Sequence, residues 1–375
     1  MAKKPKPQLR ADLLKNRSSR GRKNDFTRDM EVDADRVMDM RGSERVRGRN
    51  EMSRKRTVRG ASVDGDRIVL DIDTTTALFG RVLSSVGSTQ CTVQVEDGRR
   101  FMCSVRRIVR TMARETRNAV AAGDRVWITA TDEKTGVIER VEPRQGVLSR
   151  GHQNRQHVLV ANVTQMLIVG SAAQPNLKPA LIDRFLVSAG KGEVHPIVCI
   201  NKIDLVDPLE LQPLLGWYSQ IGCDVVMTSV TTGYGVDRLR MLLQNEQTVF
   251  AGQSGVGKSS LLNAVQPGLS LSTGIVSEVT QKGKHTTRYT QLLALNGGGW
   301  VVDTPGIRQL ELWDVRPEEI EGYFVEFRPF VALCRYPDCR HYREDDCAIR
   351  RAVQMDLIPR VRYESYLRMM LGDDA

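Results

Sequence analysis

The chain has 375 residues, of which 41% are hydrophobic and 27% are charged, and its formal net charge is +10. This length leaves room for two to four domains with buried cores, and no apolar run approaches the roughly 20 residues that a membrane-spanning helix needs. The Lys/Arg-rich start is not followed by an apolar segment, so it does not have the pattern of a secretory signal. We therefore expect a soluble, cytoplasmic protein without a membrane partner.

Residues 1–70 form a basic arm. Residues 1–60 hold 19 Lys and Arg against 9 Asp and Glu, which accounts for the whole net charge. Large apolar side chains are few there and follow no sustained period, so the arm is predicted to be disordered in isolation. Two interpretations stay open. The arm is either a solubilising tail or an electrostatic contact with polyanionic RNA, whose affinity comes from released counterions.

Residues 74–145 read as short strands joined by turns. Strands are predicted at 81–85, 91–95, 101–105, 124–129 and 136–141, with a hairpin signal at Asp97-Gly98. A five-stranded segment of this length predicts a small β-barrel such as an OB-fold, a fold that often binds RNA. Periodicity alone also allows another kind of small β-domain.

From residue 150 to 313 the pattern changes to alternating strands and helices. Strands are predicted at 158–169, 196–200, 224–228 and 247–251, helices at 180–189, 209–221 and 235–244, a helix opening at 259–264, and a hairpin from 288 to 302. Such alternation predicts a doubly wound α/β sheet, with its ligand at the carboxyl ends of the strands.

A phosphate-binding loop is predicted where one of these strands meets a helix. The run Gly252–Ser259 fits the pattern G-x-x-x-x-G-K-[ST] in that context. Its glycines allow backbone N–H groups to close around a β-phosphate at a helix N-terminus, which already favours anions. Lys258 is predicted to bridge the β- and γ-phosphates, and Ser259 to offer its hydroxyl oxygen to Mg²⁺.

Two further segments are predicted to complete the triphosphate site. Asp303 ends an apolar strand and can hold Mg²⁺ through water, while Gly306 can offer its N–H to the γ-phosphate. The plain alternative is a strand-ending Pro-Gly turn. Thr286 or Thr287 is predicted to complete Mg²⁺ coordination when the γ-phosphate is present, and the sequence does not choose between them.

The tetrapeptide Asn201-Lys202-Ile203-Asp204 predicts a guanine site. The Asp204 carboxylate can accept from N1–H and the 2-amino group of guanine, which selects GTP over ATP. Asn201 would brace the loop, the Lys202 stem would cover the base, and Thr228-Ser229 would supply a backbone N–H to guanine O6. The base-binding motif precedes the phosphate loop, which reverses the usual order in GTPases. The domain is therefore predicted to be circularly permuted.

The residue after Gly306 sets an expectation about catalysis. Ordinary small GTPases commonly carry a water-orienting glutamine there, but this chain has Ile307, whose aliphatic side chain cannot position water. We therefore expect slow intrinsic hydrolysis and a partner that reorganises the site. His285 is a candidate for that reorganised site, and a solvated loop imidazole is an equal interpretation of the same residue.

Residues 314–375 contain a cluster of metal-binding residue types before a terminal helix predicted near 349–371. Cys334, Cys339, His341 and Cys347 offer three thiols and one imidazole, which suits a closed tetrahedral zinc site of the structural kind. The alternative is scattered core cysteines, but the surrounding stretch is too polar for a core. One Zn²⁺ would hold together a segment that is otherwise too small to fold.

Together these motifs resemble the ribosome small-subunit-dependent GTPase A family (RsgA/YjeQ), a group of circularly permuted bacterial GTPases. The match covers roughly residues 75–350 and includes NKID, GQSGVGKSS, HTT, DTPGI and the Cys/Cys/His/Cys spacing in that order. The resemblance implies an N-terminal OB-fold, a central permuted P-loop GTPase domain and a C-terminal zinc domain. It also implies a role in late maturation of the 30S subunit, with GTP hydrolysis stimulated by that subunit and binding to its 16S rRNA.

The resemblance also assigns residues by motif. Guanine contacts fall on Asn201, Lys202 and Asp204, and zinc ligands on the four residues named above. Ile307 agrees with the family, whereas the long basic arm is not standard for it. Phosphate contacts fall on Gly252, Gln253, Ser254, Gly255, Val256, Gly257, Lys258, Ser259 and Ser260.

Two expectations about behaviour follow. The segment 303–307 leads within a few residues into the cysteine module, so we expect γ-phosphate loss to shift that module. We expect a monomer that cycles between GTP and GDP. The competing hypothesis is an RNA-binding assembly scaffold whose nucleotide site has little turnover.

Overall fold

The computed structural model contains a β-barrel, an α/β sheet and a C-terminal helical module in chain order, so the predicted fold class is confirmed. None of the helices that it describes combines the length and apolarity needed to cross a membrane. The structure describes residues 8–12, 55–59, 61–64, 67–70, 72–73, 75–86, 90–112, 118–152, 155–268, 290–303 and 315–372.

The described parts of the basic arm contain paired strands, which differs from the disorder predicted for residues 1–70. β1 (Gln8–Asp12) pairs antiparallel with β2 (Lys55–Arg59), and β3 (Ala61–Asp64) pairs with β4 (Arg67–Leu70). The last residue of β4 is buried with the barrel core. The strands after residue 57 contain Val58, Val63, Ile68 and Val69, and β-branched residues favour strands, although the charge of the whole arm masks this signal.

Five of the described strands close into the predicted barrel. Their order is β5-β6-β7-β9-β8, and β5 pairs back with β8. The helix α1 (Arg107–Met112) lies between β7 and β8 and was not predicted, because six residues are too short to show a helical period. The strands are β5 (Leu78–Val86), β6 (Gln90–Val95), β7 (Arg100–Val105), β8 (Arg125–Ala130) and β9 (Thr135–Val141).

The sheet that follows has the order β14-β13-β12-β15-β17-β16 among the described residues. Its neighbours are parallel except for β16, which runs antiparallel to β17. A separate hairpin, β10 and β11, precedes it. The strands are β10 (Leu148–His152), β11 (Arg155–Val160), β12 (Gln165–Ser171), β13 (His195–Asn201), β14 (Asp224–Met227), β15 (Gln247–Ala251), β16 (Gln291–Ala294) and β17 (Trp300–Asp303).

The single strand predicted at 158–169 is wrong, because the chain turns between β11 and β12. Asn162 has a left-handed φ of 57° there, and its side chain binds the backbone of the barrel segment through Gly123 O at 3.0 Å. Apolar residues on both sides of the turn form one continuous run in the sequence, so periodicity does not reveal the break.

Helices cover both faces of the sheet, as a doubly wound fold requires. Met166 and Ile168 of β12 join a buried cluster with α2 and α3, whereas Leu167 and Val169 join a second cluster with α4 and α5. A 3-10 turn at Pro208–Leu211 precedes α3. The helices are α2 (Pro179–Lys191), α3 (Gln212–Gln220), α4 (Val236–Leu243) and α5 (Lys258–Val265).

The C-terminal module packs against α2, whose Val187 belongs to the module's own core. The predicted terminal helix at 349–371 is wrong in one respect, because the structure has two helices there. Asp356 adopts a left-handed φ of 56° and Pro359 caps the second helix, so a continuous helix is prevented. The module's helices are α6 (Pro317–Ile320), α7 (Arg328–Val331), α8 (Ala348–Gln354) and α9 (Arg360–Leu371).

Candidate nucleotide site and metal cluster

The pairing of the strands places the predicted nucleotide-binding segments at one edge of the α/β sheet. Ser171 pairs with Asn201 across β12 and β13, and Ile168 pairs with Ala251 across β12 and β15. On the other side of β15, Val249 pairs with Val302, the residue before the end of β17. Because carboxyl ends of parallel strands share one edge, the base-binding and phosphate-binding segments lie side by side despite their reversed order in the chain.

The loop after β15 requires glycine at two positions. Gly252 has a φ of +136°, and a Cβ there would lie 2.2 Å from the carbonyl oxygen of Val169. Gly257 has a φ of +96°, and a Cβ there would lie 2.5 Å from Nδ2 of Asn201. Both approaches are closer than any side chain tolerates, so the loop is as tight as the motif predicts.

The start of α5 presents the chemistry that a phosphate needs. Lys258 is the first residue of the helix, so the N–H groups of the first turn lack intrahelical acceptors. Its Nζ donates to the carbonyl oxygens of Gly252 and Gln253, each at 2.7 Å, which holds the ammonium across the loop. Val256 is 2% exposed and anchors the loop in the sheet core. An anion in this loop can therefore meet both the helix N-terminus and an ammonium.

The guanine motif is bonded directly to this loop. Asn201 is 2% exposed, and its Nδ2 donates to the carbonyl oxygen of Val256 at 2.9 Å. Lys202 adopts a left-handed φ of 60°, and its Nζ donates to the carbonyl oxygen of Gly255 at 2.8 Å. The predicted base-binding and phosphate-binding segments are thus one hydrogen-bonded unit. Asp204 is exposed at the edge of this unit, after the buried Ile203.

Thr228 contacts Asn201 through its side chain, which differs from the backbone contact with guanine that the sequence predicted for Thr228-Ser229. Its buried hydroxyl donates to Oδ1 of Asn201 at 3.1 Å, which leaves the amide nitrogen to bind the phosphate loop. The sequence signal for this contact was a polar residue just after a strand. That signal does not identify the partner, because a hydroxyl at a strand end can make many other hydrogen bonds.

The predicted contact from Ser229 to guanine is not available in this arrangement. The N–H of Ser229 donates to the carbonyl oxygen of Tyr234 at 3.0 Å, and its hydroxyl accepts from the N–H of Thr232 at 3.2 Å. Ser229 therefore closes a turn of its own beside the site.

Some predicted residues lie beyond the described parts of the chain. These are Gly306, Ile307, His285, Thr286 and Thr287. The backbone of Asp303 is described, and it ends β17 beside the strand that leads into the phosphate loop.

The predicted metal ligands converge in the C-terminal module. The ligand atoms of Cys334, Cys339, His341 and Cys347 all lie within 4.8 Å of one another. Nδ1 of His341 is 3.6 Å from the Cys334 Sγ and 3.4 Å from the Cys347 Sγ. Tetrahedral zinc with ordinary bond lengths sets sulfur and nitrogen ligands about 3.6 Å apart, so the donor set fits such an ion.

The surroundings of His341 match a closed structural site. The residue is 1% exposed, and its Nε2 lies 3.0 Å from Oε2 of Glu321. A carboxylate on the far nitrogen fixes the imidazole tautomer that directs Nδ1 at a metal. Tyr363 of α9 donates its hydroxyl to the carbonyl oxygen of His341 at 2.6 Å. Glu321 lies far from the cluster in sequence, so spacing gave no signal for it.

Comparison with known proteins agrees with this geometry. A family model described as RsgA GTPase matches residues 141–313. A protein of Alkaliphilus metalliredigens named small ribosomal subunit biogenesis GTPase RsgA is 39% identical over 263 residues, which cover 70% of this chain and 88% of the relative. The chain belongs to the RsgA GTPase family. Members of this family are GTPases, and the chain accordingly hydrolyses GTP to GDP and phosphate.

Solved structures of RsgA-type proteins have the same architecture. YjeQ from Thermotoga maritima matches with a TM-score of 0.64 and 36% identity, over 79% of this chain and 99% of YjeQ. YloQ, described as a circularly permuted GTPase, matches with a TM-score of 0.62 and 31% identity, over 80% of this chain and 95% of YloQ. The resemblance and the circular permutation predicted from motif order are both confirmed.

Proposed function

We propose that this GTPase acts as a switch in late maturation of the 30S ribosomal subunit, binds its 16S rRNA, and is stimulated by that subunit. The names of the relatives supply the biological context. The observation that carries the nucleotide role is the bond from Asn201 Nδ2 to Val256 O at 2.9 Å, which joins the base-binding and phosphate-binding segments. We further propose that the protein acts as a monomer in the cytoplasm.

In this proposal each segment of the site holds one part of GTP. Asp204 accepts from the guanine ring and Lys202 covers the base, while Lys258 contacts the β- and γ-phosphates. Ser259 and Asp303 would hold Mg²⁺, which neutralises charge on the transferring phosphoryl group when bound. Thr286 or Thr287 would sense the γ-phosphate, and Gly306 would offer it an N–H. His285 stays a candidate for the stimulated reaction.

Phosphate release tests the switch against the scaffold alternative. We expect slow release by the chain alone and a clear rise when purified 30S subunits are added. Lys258→Ala should abolish both rates, because the ammonium that meets the developing charge is lost. Lys178→Ala, which removes an ammonium before α2, is the matched control and should retain both. Nucleotide binding without release above background, with or without subunits, would support the scaffold instead.

We also propose that the metal in the C-terminal cluster is a single structural Zn²⁺. Three thiols and an imidazole close enough to surround one tetrahedral ion support this choice. Metal analysis of the purified chain should give one zinc per molecule, and Cys347→Ser should lose it together with much of the module's thermal stability. Cys223→Ser, at a buried cysteine of the sheet region, should keep the metal. A zinc-free chain of unchanged thermal stability would rule the proposal out.

A further inference from the structure

Strand β5 of the barrel is shared between two hydrophobic cores. Val82 is completely buried and belongs to the barrel core. The next residue, Leu83, is 5% exposed and belongs to the core of the α/β sheet, together with Leu292 of β16 and Val302 of β17. Adjacent residues of one strand therefore fill the interiors of two different units.

Leu83 also lies at a β-bulge. Against β6, Val82 pairs with Val93 and Ser84 pairs with Thr92, so Leu83 is the extra residue on β5. Adjacent side chains of a strand point to opposite faces, so Leu83 faces away from the barrel core that Val82 joins, and the bulge adds a local bend to β5. Ser84, directly after it, pairs with Gln291 of β16, which joins the barrel wall to the edge of the sheet.

Arg81 makes a second connection from β5 to the sheet. Its Nη1 donates to Oε1 of Gln247, and its guanidinium lies 5.8 Å from the ring centroid of Trp300. Gln247 is 3% exposed and also donates to Ala161 O at 2.8 Å. The Arg81 side chain is therefore held between the first residue of β15 and the first residue of β17.

The strands that β5 contacts are those that lead into the nucleotide site. β15 runs directly into the Gly252 loop, and β17 ends at Asp303. β16 follows residues 269–289, the interval that contains Thr286 and Thr287. β5 is thus connected to the strand that leads into the phosphate loop and to the hairpin between the two predicted γ-phosphate-sensing segments.

We propose that Arg81 and Leu83 couple the barrel to the nucleotide site, so that a partner bound to the barrel changes the rate of GTP hydrolysis. Arg81 acts as a positioning residue, because it contacts the strands that carry the site and not the nucleotide itself. This coupling rests on the proposed stimulation by the small ribosomal subunit. According to this proposal, the effect of the subunit reaches the nucleotide site through packed side chains and paired strands.

The test compares Arg81→Gln with Arg99→Gln, an exposed barrel arginine paired with Asp97. GDP affinity, unstimulated turnover and turnover against increasing concentrations of 30S subunits are measured for both and for the unmodified chain. Arg81→Gln should retain its GDP affinity, its unstimulated rate and the subunit concentration at half-maximal stimulation. Its maximal stimulated rate should fall at least about fivefold, the lower end of ordinary coupling between sites. Arg99→Gln should behave like the unmodified chain.

The outcomes separate the coupling from the proposed function. A stimulated rate of Arg81→Gln equal to that of the unmodified chain would overturn the coupling alone. The coupling would also be overturned if Arg81→Gln lost GDP affinity and unstimulated rate to the same extent as stimulated rate, since such losses indicate a purely structural role. Absence of stimulation in the unmodified chain would refute the proposed function and the coupling with it. Leu83→Ala, with its folding checked by circular dichroism, should show the same selective loss.

Discussion

Arg362→Ala should lower the free energy of opening of the C-terminal module by about 3–5 kcal/mol, because it leaves buried carboxylates without their partner. Arg362 Nη1 lies 2.6 Å from Asp183 Oδ1 on α2, and its Nε lies 2.7 Å from Glu326 Oε1. The side chain of Asp183 is completely buried. Burial alone would lower the pKa of Arg362, but the two carboxylates raise it overall, so the guanidinium stays charged.

Hydrogen exchange of the α2 and α9 amides measures this local opening. The matched control is Arg360→Ala on the same helix, where the side chain is 83% exposed and pairs with Glu364. An exposed pair of this kind contributes about 0–1 kcal/mol. Similar protection in Arg362→Ala and Arg360→Ala would show that the buried ion pairs do not hold the module on α2.

The ion pair between Arg362 and Asp183 also affects how the C-terminal module would respond to nucleotide. The sequence led us to expect that γ-phosphate loss shifts the module by itself. In the structure, moving it away from α2 would separate Arg362 from Asp183 and expose the shared core around Val187. Because such a separation is costly, we now expect the module and α2 to move together.

Asp204→Asn should weaken GDP binding by about 100-fold or more and should improve binding of the xanthine nucleotide XDP. An amide offers a donor where the carboxylate offers an acceptor, so one of the two guanine donors loses its partner and meets an N–H₂ group. Each hydrogen bond to a charged group contributes about 1.5–3 kcal/mol, and two such bonds are affected. Xanthine carries a carbonyl in place of the 2-amino group and can accept from the new amide.

Calorimetric titration with GDP and XDP provides the measurement. Asp207→Asn is the control, since Asp207 is exposed nearby and caps the 3-10 turn at Pro208–Leu211 by accepting from Leu209 N at 2.9 Å. Asparagine caps turns about as well as aspartate, so the control should bind GDP normally. Unchanged GDP and XDP affinities in Asp204→Asn would remove this carboxylate from base recognition.

The sequence predicted much of the fold because its signals are local. Alternation in the barrel strands, buried runs in the sheet and glycines at fixed spacing each report a nearby backbone requirement. Gly252 and Gly257 illustrate this, since both adopt the positive φ that the loop motif demands. The convergence of the four candidate metal ligands was also predictable, because residue types capable of binding zinc cluster within a short stretch.

The remaining features depend on contacts between distant segments. The turn at Asn162 interrupts an apolar run whose composition gives little warning. The break between α8 and α9 is different, because Pro359 was a sequence signal that the prediction of a single terminal helix overlooked. Glu321 reaches His341, and Thr228 reaches Asn201, only after the chain has folded. The bulge at Leu83 is of the same kind, since nothing in its neighbours shows which core it enters. These residues require the tertiary structure.

The central claim is that a base-binding segment and a phosphate-binding segment, encoded in reversed order, form one site selective for guanine nucleotides. Calorimetric titration of nucleotide-free protein with GDP and with ADP tests it most directly. We predict that GDP binds at least about 100-fold more tightly, because adenine cannot satisfy the Asp204 carboxylate. Equal affinities for GDP and ADP would contradict the claim.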